Sequence, residues 1–225
     1  MIFHVYSKIS PDTIRDAISA VLADVKGPSK RKFAQTIELQ FGFKNYDVKE
    51  KRFNASVVLP HVPREKFSVC VLGTEADVEA AKAAGVDGLT QDDLKAFNKD
   101  KKKVKVLANS HHAFLASSSL IRLIPRLLGP GLSKAGKFPA VLNNNDNVAD
   151  KIQEARKTVK MNMKSKRSAC FAVAVANVNM TEEQILTNIT VAINFLVSLL
   201  PKNWQQVKRV YLHPTMGKSV KIYGM

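Results

Sequence analysis

Val207-Lys-Arg-Val-Tyr-Leu-His213, Pro214-Thr-Met-Gly-Lys-Ser219 and Val220-Lys-Ile-Tyr223 run on from one another, and how they are read decides the fold. In the first segment Val210 and Leu212 point one way and Arg209, Tyr211 and His213 the other. The last segment sets Val220 and Ile222 against Lys221 and Tyr223. Period-two alternation of this kind predicts half-buried strands, and the Pro and Gly between them predict a turn. Two strands therefore present one short loop, Thr215-Met216-Gly217-Lys218. It offers a hydroxyl, an adaptable apolar contact and a charge. Gly217 permits positive φ or a close approach. The set suits a grooved, anionic, partly apolar surface such as folded RNA; a plain hairpin turn is the simpler alternative.

Upstream, Ser10-Pro-Asp12 predicts a helix start, with Ile14, Ala17, Ile18, Val21, Leu22 and Val25 at helical spacing and a stop at Gly27-Pro28. The basic Ser29–Lys32 leads into a strand, Phe33 to Phe41. Phe33, Ile37, Leu39 and Phe41 share its core face; Thr36, Glu38 and Gln40 share its polar face. Arg52–Leu59 predicts another strand. After the extended break Pro60-His-Val-Pro63 the style changes. Phe67–Leu72 reads as a strand buried on both faces, Thr74–Ala84 as a helix with a Thr74/Asp77 capping box, and Thr90–Asp93 as a helix start. Val104–Leu107 is expected to be a strand, His112–Leu128 a helix and Asn147–Ala155 another. Alternating strands and helices point to βαβ units. Alternation returns at Thr158–Lys164 and Cys170–Val175. Thr181 and Gln184 then cap a helix carrying Ile185, Ile189, Ile193, Leu196 and Leu200.

The expected organisation is a discontinuous α+β domain, 1–62 plus 155–225, with an antiparallel sheet and helices. An α/β Rossmann-like domain, 63–154, is inserted into it. Of 225 residues 45% are apolar, enough for a core, while the net charge of +16 is far from ordinary. Segment 1–62 carries 10 basic and 6 acidic side chains, segment 155–225 carries 11 and 2, and the insert 14 and 11. The excess belongs to the discontinuous domain, so a polyanion is expected there. Cys70 and Cys170 are expected as two buried thiols in a reducing compartment. No signal peptide is read at Met1–Tyr6. Ile185–Leu200, interrupted by Asn188 and Asn194, is too short to cross a bilayer, so no membrane is expected, and the sequons at Asn179 and Asn188 carry no weight without secretion.

Gly131-Leu-Ser-Lys-Ala-Gly-Lys137 fits the spacing of a phosphate-binding loop. Phe138 stands where a magnesium-binding hydroxyl should be, and Pro139 interrupts the following helix. A nucleotide-dependent enzyme is thus the weaker reading. His111-His112, adjacent, share a metal poorly and read as a solvated helix start. Glu38 is a lone carboxylate, better suited to hydrogen bonding than to base catalysis. The Lys99–Lys105 run reads as a solvated loop, or else an auxiliary phosphate contact. No cofactor, metal, small-molecule substrate or catalytic residue is expected.

Phe33-Ala-Gln-Thr-Ile-Glu38, Leu123–Pro139, Asn194–Leu200 and Thr215-Met-Gly-Lys218 together resemble the universal large-subunit ribosomal protein L1 family. The Gly-Pro-Gly and Ala-Gly-Lys-Phe-Pro forms are similar to its eukaryotic branch. The resemblance runs from about residue 7 onward. It implies two domains, a place on the L1 stalk of the ribosome with large-subunit rRNA as partner, and association with release of exit-site tRNA. It implies a cytoplasmic ribosomal location after nucleolar assembly, and leaves open a free regulator bound to its own messenger RNA. Implied RNA contacts are Lys32, Phe33, Thr36 and Glu38 on the early strand and Thr215, Met216 and Gly217 in the late loop; Lys166 is counted with them. Bacterial relatives usually have Pro at Lys218 and a small hydroxyl residue at Arg209. Here either these two add phosphate contacts or the loop is angled differently.

Overall fold

The structure is a computed structural model describing residues 8–27, 30–47, 53–143, 146–163 and 169–224. The chain divides into two compact units, Met1–Arg64 with Lys157–Met225, and Glu65–Arg156.

The first unit opens with helix α1 (Pro11–Lys26), whose N-cap Ser10 accepts a hydrogen bond from the Thr13 N–H. Its six apolar residues at helical spacing are all buried. Strand β1 (Thr36–Phe43) alternates strictly, with Ile37, Leu39, Phe41 and Phe43 inward. The strand begins three residues later than the sequence pattern suggested. Phe33 therefore lies ahead of it, 54% exposed, and is not a core residue. β2 (Asn54–Val58) follows.

The second unit contains β3 (Val69–Leu72), α2 (Glu75–Ala83), β4 (Asp87–Leu89), α3 (Gln91–Ala96), α4 (Lys101–Ser110), β5 (Ala113–Ser117), α5 (Ile124–Leu127), α6 (Gly131–Lys134), β6 (Ala140–Leu142) and α7 (Val148–Lys157), which runs to the boundary. Capping boxes start α2 at Thr74/Asp77 and α3 at Thr90/Asp93. β3 is buried throughout, as its unbroken apolar run requires in a sheet covered on both faces. The sheet is parallel, in the order β4-β3-β5-β6.

Two expectations fail here. Val104–Leu107 is helical, because Asp100 caps a helix in which Val104, Leu107 and Ala108 are buried at i, i+3, i+4; Val106 is left 69% exposed. His112–Leu128 is not one helix: Ala113–Ser117 is strand β5, paired with β3, and only Ile124–Leu127 is helical. The short apolar run Ala113-Phe-Leu-Ala carries no period to separate the two states.

Back in the first unit come β7 (Thr158–Asn162), β8 (Cys170–Asn177), α8 (Glu182–Leu199), β9 (Val207–Pro214) and β10 (Val220–Tyr223). The main sheet is antiparallel, ordered β10-β9-β1-β8, and β2 pairs with β7 separately. Thr181 and Gln184 form the capping box of α8. α1, α8 and the inward side chains of β1, β8 and β9 share one core. The other sheet face stays polar and half-exposed, as one-sided antiparallel sheets do. Cys170 is exposed at the start of β8, not buried as expected, whereas Cys70 is buried. Burial pushes the Cys70 thiol up to about 12, with Asp87 adding to the effect.

Asn188 is fully buried in α8. Its amide donates to His61 O at 3.0 Å and Val175 O at 2.9 Å, and its Oδ1 accepts from His61 N at 3.1 Å. The sequon there has no free amide nitrogen to modify. The two bonds to His61 pin the backbone of the Pro60–Pro63 segment to α8, and the third ties α8 to β8.

Candidate nucleic-acid interface

β1 and β9 run antiparallel with Ile37 opposite Pro214 and Glu38 opposite His213. This register brings the start of β1 and the end of β9 to one end of the sheet. The loop Thr215–Lys218 leaves from that end, beside the basic lead-in to β1.

Thr215 joins the two. Its N–H donates to Thr36 O at 3.0 Å. Its hydroxyl accepts from Thr36 N at 3.0 Å and donates to Thr36 O at 3.2 Å. The ladder is thus extended by one residue through a side chain. One residue on, the Met216 N–H donates to Oε1 of Gln35 at 3.0 Å. Gln35 occupies the inward position that follows from the alternation of β1, and it is 1% exposed. The Lys218 N–H donates to Oδ2 of Asp24, on α1, at 3.0 Å. Three of the loop's four N–H groups, those of Thr215, Met216 and Lys218, are taken up within the protein, so the loop's shape is fixed before anything binds.

Gly217 is glycine for space. A Cβ there would collide with Asp24 Oδ2 and lie 2.6 Å from Pro214 Cγ. Its φ is not in the left-handed region. Of the two roles open to it, close approach is the one used, and the neighbour is the protein's own α1. Met216 is 54% exposed, and Lys218 is exposed beside it.

Lys32 and Phe33 are exposed at the same sheet end. With Lys26, Lys30, Arg31 and Asn179 they line a cavity of about 400 Å³. That is nucleotide-sized, with cations for phosphate and an aromatic ring for a base. Thr36 and Glu38 lie half-buried on the polar sheet face, Glu38 flanked by His213 on β9 and Ala174 on β8.

Lys32, Phe33, Thr36, Glu38, Thr215, Met216, Gly217 and Lys218 therefore form one cluster. Arg209 does not join it. It pairs with Gly42 toward the other end of β1, six residues from Thr215 and so about 20 Å away at strand rise. Lys166 lies outside the described residues. Asp24 and Gln35 were not picked out from the sequence. An isolated Asp near a helix end carries no local signal, and only the sheet parity at position 35 hinted at an inward polar group.

The phosphate-loop reading finds no support in the local geometry. Lys137 Nζ donates to Ala108 O at 2.5 Å and His111 O at 2.8 Å, where it serves the carbonyls at the end of α4. His111 and His112 follow α4 rather than start a helix. Nδ1 of His112 lies 2.8 Å from the Ser68 hydroxyl.

The sequence profile of the Ribosomal protein L1p/L10e family matches residues 25–218. The rice (Oryza sativa subsp. japonica) protein named large ribosomal subunit protein uL1 is 49% identical over 96% of this chain and 100% of its own length. The Caenorhabditis elegans protein of that name is also 49% identical, again over 96% and 100%. Large ribosomal subunit protein uL1A of Schizosaccharomyces pombe is 48% identical over the same shares. With the match spanning both units and the whole interface cluster, the chain belongs to the ribosomal protein L1p/L10e family.

Proposed function

We propose that this protein is a structural constituent of the large ribosomal subunit and binds rRNA through its discontinuous unit. The observation that carries the reading is the clasp between Thr215 and Thr36. It holds an exposed Met216 and Lys218 in fixed relation to the basic cavity at Phe33. Affinity comes from the cations, which release counterions from phosphates. Shape selection comes from the preset loop and the polar face of β1, which meet sugar hydroxyls and unstacked bases. Glu38 is given a hydrogen-bonding role toward RNA, and no catalytic step is assigned to any residue.

The two segments 1–64 and 157–225 act together as the RNA-binding domain. Residues 65–156 are an insertion of Rossmann-like topology, a reading supported by the parallel order β4-β3-β5-β6. Within the ribosome the protein sits on the L1 stalk, in the cytoplasm after nucleolar assembly, where it helps release exit-site tRNA. The test is binding of wild type and Met216→Asp to a stalk rRNA fragment, with sedimentation of ribosomes in sucrose. Weakened binding and loss of co-sedimentation by the variant support the reading. Equal behaviour of the two proteins removes the loop from the site. Wild type found with messenger RNA and absent from ribosomes would instead make it a free regulator.

A further inference from the structure

The unit Glu65–Arg156 holds 14 basic and 11 acidic side chains, but the balance is uneven. Lys99, Lys101, Lys102, Lys103 and Lys105, against Asp100 alone, supply a net +4 within seven residues, and the rest of the unit is −1. The structure makes Lys101–Lys105 the opening of helix α4, with Asp100 as its N-cap and Lys99 just ahead of it. Val104, Leu107 and Ala108 face the core, while Lys101, Lys102, Lys103, Lys105 and Asn109 are exposed. Lys101 and Lys105 are one turn apart and stack on one face, with Lys102 beside them. Among the described residues none of the five lysines forms an ion pair.

This placement works against the helix. Like charges at i, i+4 repel. The first turn sits at the positive end of the macrodipole, where acids are favoured, yet α4 has none there. Helices α1, α2, α3 and α8 each carry acids in the first turn. Lys99 also takes φ +59°, a region that suits Gly or Asn better. Charge held against local stability is charge that a ligand can relieve.

We infer that the lysine face of α4 is a second RNA-contact surface, which grips the phosphate backbone of a double helix without reading its bases. The occupant follows from what the face lacks. Helix α4 itself carries no aromatic on which single-stranded bases could stack. Its one exposed apolar side chain is Val106, too small an anchor for a protein interface, which relies on buried aromatic or Arg hot spots. What remains is a row of mobile point charges, the means of sequence-independent phosphate binding. The contact is in a different unit from the Thr215 loop, so the two are separable by mutation.

The test uses the full chain carrying Lys101→Gln, Lys102→Gln and Lys105→Gln, with Lys66→Gln, Lys82→Gln and Lys151→Gln as a charge-matched control. Binding to a generic RNA duplex is measured across a KCl series, alongside thermal melting and polyglutamate competition. The α4 variant is expected to lose about 2 to 3 units of the log–log salt slope, near 0.9 per phosphate contact. Its melting temperature is expected to hold or rise. The control is expected to keep its slope. An unchanged slope in the α4 variant, or an equal fall in the control, overturns the inference. So does retained duplex binding with lost polyglutamate binding, which points to an acidic protein instead. Met216→Asp measured on the same duplex keeps the two proposals apart. It is expected to bind the duplex normally even though it fails on stalk RNA.

Discussion

Thr215 grips Thr36 with both its backbone and its side chain: one hydroxyl accepts from the Thr36 N–H at 3.0 Å and donates to the Thr36 carbonyl at 3.2 Å. The hydroxyl is therefore used within the protein, and its part in binding is to hold the loop. Thr215→Ser keeps both bonds and is expected to bind RNA like wild type. Thr215→Val loses them, at about 1 kcal/mol of stability, and is expected to weaken RNA binding severalfold. Filter binding and urea denaturation of the pair separate positioning from direct contact, since a direct methyl contact would make Val the better substitute.

Met216 and Phe33 are each 54% exposed and contribute little to the core. Met216→Asp and Phe33→Ala should therefore melt within a degree or two of wild type, as surface changes do. RNA affinity is expected to fall at least tenfold for Met216→Asp, which sets a carboxylate against phosphate. Phe33→Ala is expected to lose about 1–3 kcal/mol of binding, the usual worth of one stacked base. Equilibrium titration with labelled RNA checks both.

Gly217→Ala forces a methyl group into Asp24 and Pro214. Overpacking of this kind costs about 1–3 kcal/mol, here with loss of the Lys218 N–H bond to Asp24. Adding Asp24→Ala to Gly217→Ala should recover part of the lost stability, because it removes one of the two neighbours in the way and leaves only Pro214. The double variant is expected to bind RNA less well than wild type, its loop no longer tied to α1. A denaturation series on the four proteins of this cycle tests the coupling.

Lys218 has its backbone fixed by Asp24 while its side chain is exposed. Lys218→Ala is expected to reduce the salt slope of stalk-RNA binding by about one contact's worth, near 0.7 to 0.9, with little change in stability. Arg209→Ala, about 20 Å along the strand, should leave loop-dependent binding to a minimal fragment unchanged.

The two thiols should differ sharply toward a thiol reagent at neutral pH, with exposed Cys170 modified first and Cys70 protected until unfolding. Burial raises the Cys70 pKa to about 12; in the unfolded chain it is about 8.5. The native state holds the thiol neutral. Its contribution to stability is whole below the unfolded value and is lost as pH rises from there through the folded one. Cys70→Ala should flatten that alkaline loss in pH-dependent denaturation.

Helix starts were the part most open to reading from the sequence. Ser10, Thr74, Thr90 and Thr181 all cap as their spacing requires, because a cap is a local event between residues three apart. Strand parity in β1 and β9 was legible for the same reason. Val104–Leu107 was misread because Val-Lys-Val imitates a strand, and only Leu107 with Ala108 marks the helical stripe. Ala113–Ser117 became a strand through pairing with β3, a neighbour some 45 residues earlier. In the interface the sequence pointed to Thr215 and Met216 as a loop but not to what holds them. Thr36 and Thr215 are 179 positions apart, and Asp24 and Lys218 are 194 apart. Partners at such range leave no periodic trace.

β1 lies in the sheet between β8 and β9, so a strand made early by the ribosome waits for two made late. Leu39 meets Leu212 only after more than 170 further residues have been added. At about 5–20 residues per second that delay is roughly 10 to 35 seconds. For most of that interval, until β8 and α8 are made, the nascent α1 and β1 lack the elements that share their core, while Glu65–Arg156 has its own strands already to hand. Newly made chains of this protein thus pass through a stage in which a chaperone has a greasy amino-terminal segment to shield.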